Sequence, residues 1–222
     1  MTERLDTISE NGLQFYSKIS AALSHDIKNA LAIINENAGL MDDFTLMADQ
    51  GVPIDPERLK RMSATITKHV GRANDIATHI SRLAHSLDKP VDVVDLNETL
   101  RLLTMLTSRL SQMRNVTMDI SALSHAVTVE TSPFFLMTLL WRLFDCATAA
   151  GEVTSIAVAT ESGEDGASIV LRLEGNTGKL REMLASKQVD GFLNLLNAEL
   201  ISESGSEEFC LNLPARLDAL NL

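Results

Sequence analysis

The sequence predicts an α+β protein, in which a long antiparallel two-helix hairpin precedes a mixed domain. Residues 9–50 contain no proline and repeat apolar side chains every three or four positions, as one face of a helix does. A second stretch with this repeat precedes Pro90, and short β-branched runs separated by turn residues follow it. A chain of 222 residues, 45% of them apolar, is long enough to bury a core.

The first helix is expected over residues 9–50, ending at Gly51. Its apolar stripe consists of Ile19, Leu23, Ile27, Ala30, Ile34, Ala38 and Met41. Asp55 and Pro56 predict the start of a second helix, because Asp caps helix ends and proline suits the first turn. The second stripe consists of Leu59, Met62, Ile66, Val70, Ala73, Ile76, Ile80, Leu83 and Leu87. The short connection makes the two helices antiparallel.

Each of these helices would be on the order of 50 Å long, so a single hairpin leaves apolar stripes exposed. Pairing with the hairpin of an identical chain would form a four-helix bundle with the stripes facing its axis. We therefore expect a homodimer, with residues 1–90 as the helical hairpin and residues 91–222 as the second domain.

The second domain is expected to begin with a capping box at Asp95 and Glu98, opening a helix over residues 96–113. Ser132 and Pro133 predict a further helix to about residue 150, and residues 163–166 form the turn of a hairpin. The remaining predicted elements are strands at residues 116–120, 127–130, 155–160, 167–173, 199–202 and 208–213, and a helix at residues 190–196.

Charge and cysteine content exclude several classes of function. There are 19 basic and 30 acidic residues, and the net charge of -11 argues against nucleic acid as a partner. Two cysteines are too few for a disulfide framework, which favours a reduced, cytoplasmic setting. No apolar run is long enough to span a membrane, and the histidines lack the spacing of a metal site. Trp141 is expected in the core or in interdomain packing, and Cys146 is expected to be a buried structural thiol.

The segment over residues 24–34 holds the candidate chemistry. Helical geometry places His25 opposite the apolar stripe, with Asn29 and Ala32 within roughly 40° of it. An exposed imidazole is a competent nucleophile towards a phosphoryl group at neutral pH, and Asp26 could fix its tautomer or take its proton. A histidine at such a position is more often only a solvated surface residue.

The run Ser24-His25-Asp26-Ile27-Lys28-Asn29-Ala30-Leu31 resembles the H box of sensor histidine kinases, with alanine where proline is common. The resemblance implies that His25 is the phosphoacceptor, Asp26 the acid or tautomer-orienting group, and Asn29 an assistant in phosphatase or transfer chemistry. Residues 9–88 resemble the dimerisation and phosphotransfer bundle of that family. Residues 94–98 resemble the entry to its GHKL-type ATPase domain, an α/β sandwich.

The nucleotide-binding motifs of that family are altered in this chain. Arg142 and Cys146 stand where two asparagines would hold Mg²⁺ and phosphate. Glu174-Gly175-Asn176-Thr177-Gly178 replaces the adenine-binding motif, and Gly191 alone replaces a glycine-rich loop. Because phosphoryl transfer from ATP depends on positioning and charge neutralisation, we expect a degenerate ATPase domain that binds neither ATP nor metal.

The resemblance then implies a histidine phosphotransferase without a cofactor, in which His25 relays a phosphoryl group between the aspartates of response-regulator receivers. One receiver could belong to a hybrid histidine kinase, and each receiver would bring its own Mg²⁺. The residues implied in receiver docking are Ala32, Ile33, Glu36, Leu40, Lys68 and Arg72. The alternatives are a non-catalytic scaffold for a regulator or kinase, and a divergent autokinase or receiver phosphatase.

Overall fold

A computed structural model describes residues 2–121, 125–149, 151–185, 189–202 and 206–217, with side chains from residue 8 onward. The helices are α1 (Thr2–Asp49), α2 (Pro56–His85), α3 (Leu96–Met113), α4 (Pro133–Thr148), α5 (Gly178–Ala185) and α6 (Asp190–Leu195). The strands are β1 (Asp92–Asp95), β2 (Thr117–Ser121), β3 (Thr128–Thr131), β4 (Val153–Ser162), β5 (Gly166–Gly175), β6 (Glu199–Ile201) and β7 (Glu208–Pro214). The chain divides into a hairpin unit, Ser20–Arg82, and an α/β unit comprising Met1–Ile19 and Leu83–Leu222.

The hairpin unit contains most of α1 and α2, joined by a short turn. Gly51 adopts a φ of +84°, a left-handed conformation that suits glycine at the end of a helix. Asp55 then accepts a hydrogen bond from the backbone N–H of Glu57 at 3.0 Å and caps α2. Arg58 lies 4.6 Å from the ring of Phe44, near this turn. The predicted antiparallel hairpin is confirmed.

The inward face of α2 differs from the predicted stripe at two positions: Leu87 lies beyond the end of α2 and is 54% exposed, and Val70 is also exposed. Val70 is 44% exposed, so its place in the stripe was wrong. His69 is partly buried instead, and its Nδ1 atom is buried without a hydrogen-bond partner among the described residues. The inward residues follow alternating steps of three and four: Leu59, Met62, Ile66, His69, Ala73, Ile76, Ile80 and Leu83. A polar side chain therefore interrupts an otherwise apolar seam.

The α/β unit is built on a five-stranded sheet in the order β2-β4-β5-β7-β6, in which only β2 and β4 run parallel. β1 and β3 form a separate antiparallel pair. Asp95 caps α3, as predicted, by accepting a hydrogen bond from the N–H of Asn97 at 2.9 Å. The buried Asn97 amide in turn accepts from Thr160 Oγ1 at 2.7 Å and ties α3 to β4.

Helix α4 is the centre of the α/β unit. Ten of its 16 residues are buried, and the other six are partly buried. The start of α1 covers one side, where the fully buried Phe15 ring lies 5.5 Å from Trp141 and 6.0 Å from Phe134. Gly12 permits this approach, since a Cβ atom there would lie 3.2 Å from the Phe134 ring. The residues at the start of α1 therefore belong to the α/β core.

Ion pairs reinforce this contact between α1 and α4. Lys18 Nζ lies 3.2 Å from one Asp145 oxygen and 5.2 Å from the Trp141 ring centre. Arg114 at the end of α3 binds the other Asp145 oxygen at 2.7 Å and donates to Thr148 Oγ1 at 2.6 Å. Asp145 is only 11% exposed, so these partners satisfy a largely buried carboxylate.

The α+β fold class and the order of the predicted elements are confirmed. β1 and α5 were not predicted, α1 begins at Thr2, seven residues before its predicted start, and several other boundaries move by one to three residues. Trp141 lies in the core as expected, whereas Cys146 is only partly buried. Among the described residues, no helix has the length and apolar content needed to cross a membrane.

Replacing Phe15 by alanine is expected to lower the free energy of unfolding of the α/β unit by about 3–5 kcal/mol, because it leaves a cavity against Trp141. Chemical denaturation followed by Trp141 fluorescence measures this loss. Leu13→Ala is the matched control on the same helix, since Leu13 is 71% exposed. Equal effects of the two variants would contradict the packing described above.

Candidate functional site

His25 lies within α1, six residues after the last α1 residue of the α/β unit. Its side chain is 53% exposed, as the helical stripe predicted. The backbone is helical on both sides of His25, and the face opposite it carries the buried Leu23 and Ala30. The imidazole is therefore accessible to an incoming reagent and is attached to an ordered support.

One turn further along α1, Asn29 contacts the ring of His25. Asn29 Nδ2 lies 3.0 Å from His25 Nδ1, within hydrogen-bonding distance. Residues at i and i+4 lie on the same face of a helix, so the contact follows directly from the spacing. An amide can present either its N–H or its carbonyl oxygen, and which end faces the ring determines which ring nitrogen carries the proton.

Asp26 is directed towards the second helix. Its Oδ2 atom lies 3.5 Å from Nη2 of Arg72 on α2, and its Oδ1 atom lies 3.9 Å from His25 Nδ1, beyond hydrogen-bonding distance. The carboxylate is 14% exposed and the guanidinium 56%, so the pair lies at the rim of the interhelical groove. The structure thus brings together His25, Asp26, Asn29 and Arg72.

The residues implied in receiver docking occupy one exposed area. Ala32 and Glu36 are exposed and Leu40 is 42% exposed, on the same face of α1 as His25. Ile33 lies at the edge of this face and is partly buried. Across the groove, the exposed residues Lys68 and Arg72 lie one turn apart on α2.

Two positions of the altered nucleotide-binding motifs, Cys146 on α4 and Gly191 on α6, lie on helices that pack against each other. Cys146 on α4 donates from Sγ to the carbonyl oxygen of Lys179 on α5 at 3.4 Å. Leu180 and Met183 of α5 are buried, and α5 contacts α4 directly. Phe192 of α6 is buried as well, with its ring 6.5 Å from that of Phe135. α5 and α6 therefore cover this side of α4.

The segment over residues 174–178 serves as a turn into α5. Gly175 has a φ of +125°, and a Cβ atom there would lie 2.0 Å from the carbonyl oxygen of Glu152. Only glycine fits at that position. Asn176 Oδ1 accepts a hydrogen bond from the N–H of Gly178 at 2.8 Å at the start of α5. These residues have a structural explanation within the α/β unit.

Within the part of the chain that the structure describes, no three His, Cys, Asp or Glu side chains are grouped as metal ligands.

His69 is an inward residue of the hairpin that the sequence analysis missed, since it selected the apolar neighbour Val70 instead. The alternating steps of three and four along α2 are the signal that identifies it.

Neither a protein-family model nor a curated protein sequence matches this chain. Among solved structures, it is similar to the ATP binding domain of PrrB from Mycobacterium tuberculosis, at 15% identity, a TM-score of 0.49, and coverage of 57% of this chain and 98% of that one. It is also similar to the Acinetobacter baumannii histidine kinase AdeS, at 10% identity, a TM-score of 0.48, and coverage of 86% and 98%.

A third similar structure is the histidine kinase ThkA in complex with the response regulator protein TrrA, at 16% identity and a TM-score of 0.46. The match covers 91% of this chain and 63% of that one. At these identities, the three structures assign no role to individual residues of this chain.

Burial raises the pKa of the Cys146 thiol, and the nearby Arg142 offsets this only in part. In a Cys210→Ser background, Cys146 should therefore react with iodoacetamide more slowly at pH 8 than a small thiol in the same solution. The inflection of its rate against pH should also lie higher, as mass spectrometry of the alkylated chain would measure. A faster reaction than that of the free thiol would contradict the covered surface of α4.

Proposed function

We propose that this chain is a cytoplasmic histidine phosphotransferase of a bacterial two-component phosphorelay, in which His25 accepts a phosphoryl group from one receiver aspartate and passes it to another. One observation carries the proposal: the imidazole of an H-box sequence is exposed on a regular helix, with Asn29 within hydrogen-bonding distance of Nδ1. That arrangement supplies an oriented nucleophile on an accessible surface.

The proposal includes transfer without ATP. The two asparagines of the kinase pattern are replaced by Arg142 and Cys146, and α5 and α6 cover that side of α4. A kinase must neutralise the charge of a triphosphate with Mg²⁺ and backbone donors. A receiver instead provides its own aspartate and Mg²⁺, so the transferase needs only the imidazole and a docking surface.

The proposed docking surface consists of Ala32, Ile33, Glu36 and Leu40 on α1, with Lys68 and Arg72 on α2. Its apolar part is Leu40 with the partly buried Ile33, and its charged part is Glu36 on α1 with the basic pair on α2. In a chain of net charge -11, Lys68 and Arg72 place two cations on α2, one of which is paired with Asp26 next to His25, and such local positive charge favours an incoming acidic site.

The proposal also includes a homodimer, with residues 1–90 as its dimerising hairpin and residues 91–222 as a degenerate ATPase-like domain. Within the hairpin unit, Ile27, Ile34 and Met41 on α1 are only partly buried and Leu31 is 49% exposed. A second hairpin packed on this apolar stripe would complete a four-helix bundle. Such packing would remove these side chains from water.

The test is incubation with a receiver domain that carries a radiolabelled phosphoryl group on its aspartate. We expect acid-labile label on this chain, at His25, and none on His25→Gln. Light scattering should give twice the chain mass of 24.2 kDa for both proteins, so that loss of label reflects loss of the nucleophile.

Two results would contradict transfer. If both proteins bound the receiver and neither became labelled, the scaffold function would hold. If the receiver lost its label to free phosphate and this chain stayed unlabelled throughout, the phosphatase function would hold.

A further inference from the structure

Exposed cations form a row along one face of α2. The members of this basic row are Arg58, Arg61, Lys68 and Arg72, and all four are exposed. At about 100° per residue they lie within roughly 80° of one another around the helix, and at 1.5 Å per residue the row is about 21 Å long. The docking surface proposed above includes only Lys68 and Arg72, so the positive charge continues from that surface to the hairpin turn.

The two helices of the hairpin unit carry opposite charge. With histidine neutral, residues 20–49 of α1 contain five acidic side chains and one lysine, a net charge of -4. Residues 56–82 of α2 contain six basic and two acidic side chains, a net charge of +4. Glu36 and Asp43 are exposed and lie within roughly 20° of His25 around α1. These two carboxylates form an acidic row that extends from His25 towards the turn.

Two side-chain contacts place both rows on the same side of the hairpin. Asp26 Oδ2 lies 3.5 Å from Arg72 Nη2, and the guanidinium of Arg58 lies 4.6 Å from the centre of the Phe44 ring. Asp26 and Phe44 occupy the same position around α1, because about 18 residues make five turns. Both contacts therefore lie along one edge of the groove between the helices. The acidic row lies about 80–100° from this edge, on the side away from the buried Ala30.

At the turn, this edge reaches an apolar pocket of about 140 Å³. Its lining includes the apolar residues Phe44, Met47 and Val52 and the charged residues Asp55 and Arg58. Met47 and Val52 are each 43% exposed, so apolar side chains are in contact with water there. A cavity of about 150 Å³ holds one benzene ring, so the pocket has room for one apolar side chain of a partner.

We infer that this edge of the hairpin, from His25 to the turn, docks a folded protein whose surface has the opposite polarity. The partner presents carboxylates to the basic row, cations to the acidic row and one apolar side chain to the pocket. That this partner is a receiver domain rests on the proposed function. The charges then select which receivers bind and in which orientation.

The pairing of two opposite charges argues against other occupants of this edge. A phosphate backbone or an anionic bilayer carries a single sign of charge, so Glu36 and Asp43 oppose its attraction to α2. A second copy of the hairpin would match both rows but would cover His25. Ile27 and Ile34, in the apolar stripe proposed for the dimer, lie roughly 180–200° from His25 around α1, so a second copy is expected on that other side.

The test is calorimetric titration of the full chain with each purified, unphosphorylated receiver domain encoded in the same genome. We expect at least one receiver to bind, with an affinity that falls between about 50 mM and 0.5 M salt, because salt screens exposed charges. Arg61→Glu should weaken this binding by about 2- to 30-fold, since it exchanges an attraction for a repulsion. Lys60→Glu is the matched control, because Lys60 lies about 100° from Arg61 around α2. It should change the affinity by less than about 2-fold.

Asp43→Lys separates a polarised partner from an anionic one. It should weaken receiver binding by a similar factor, because a cation of the receiver would then meet a lysine. Binding of a DNA duplex or of phosphatidylglycerol vesicles that Asp43→Lys strengthens would overturn the polarised edge. A mass above that of a dimer in low salt, lost in Arg61→Glu, would overturn it as well, since a second copy would then occupy the edge.

Failure of every receiver to bind, or unchanged binding in Arg61→Glu and Asp43→Lys, would overturn the polarised edge whatever label His25 carries. Salt-dependent binding that both variants weaken, with no label on His25, would uphold the edge and overturn the proposed function instead.

Discussion

The burial of α4 is the constraint on which the rest of the structure depends. Its side chains are shared between the sheet, the start of α1 and the short helices α5 and α6. Phe15 of α1 packs against Trp141 of this helix. Leu180 and Met183 are buried residues of α5, which also contacts α4. Every apolar contact of this kind removes surface from water, at roughly 25 cal/mol per Å². A helix used in this way stabilises the α/β unit.

Helix α1 contributes residues to both units of the chain. α1 begins in the α/β core, where Lys18 and Phe15 contact α4, and continues without interruption to His25. Phosphoryl transfer to and from a receiver needs an accessible nucleophile of defined tautomer, while the metal and the carboxylate come from the receiver. The proposed function assigns the nucleophile to His25, whose ring Asn29 contacts.

Local signals in the sequence predicted much of this architecture, and tertiary contacts account for what it missed. Gly51, the cap at Asp95 and the turn at residues 163–166 each act through adjacent backbone, so sequence alone locates them. β1 has only four residues, and α5 begins with a glycine and is stabilised by burial of Leu180, so neither carries a clear periodicity. His69 was missed because apolar character outweighed spacing. The pairing of Asp26 with Arg72 across the hairpin depends on a side-chain distance that no sequence pattern contains.

The most direct measurement of the central claim, a buried α4 with no nucleotide site beside it, is a calorimetric titration of the full chain with ATP and Mg²⁺. The account predicts no heat of binding at concentrations up to the millimolar range, where a free energy of only about -4 kcal/mol would be detected. A saturable heat with one ATP per chain would contradict it, because α5 and α6 would then have to leave α4 open to a triphosphate.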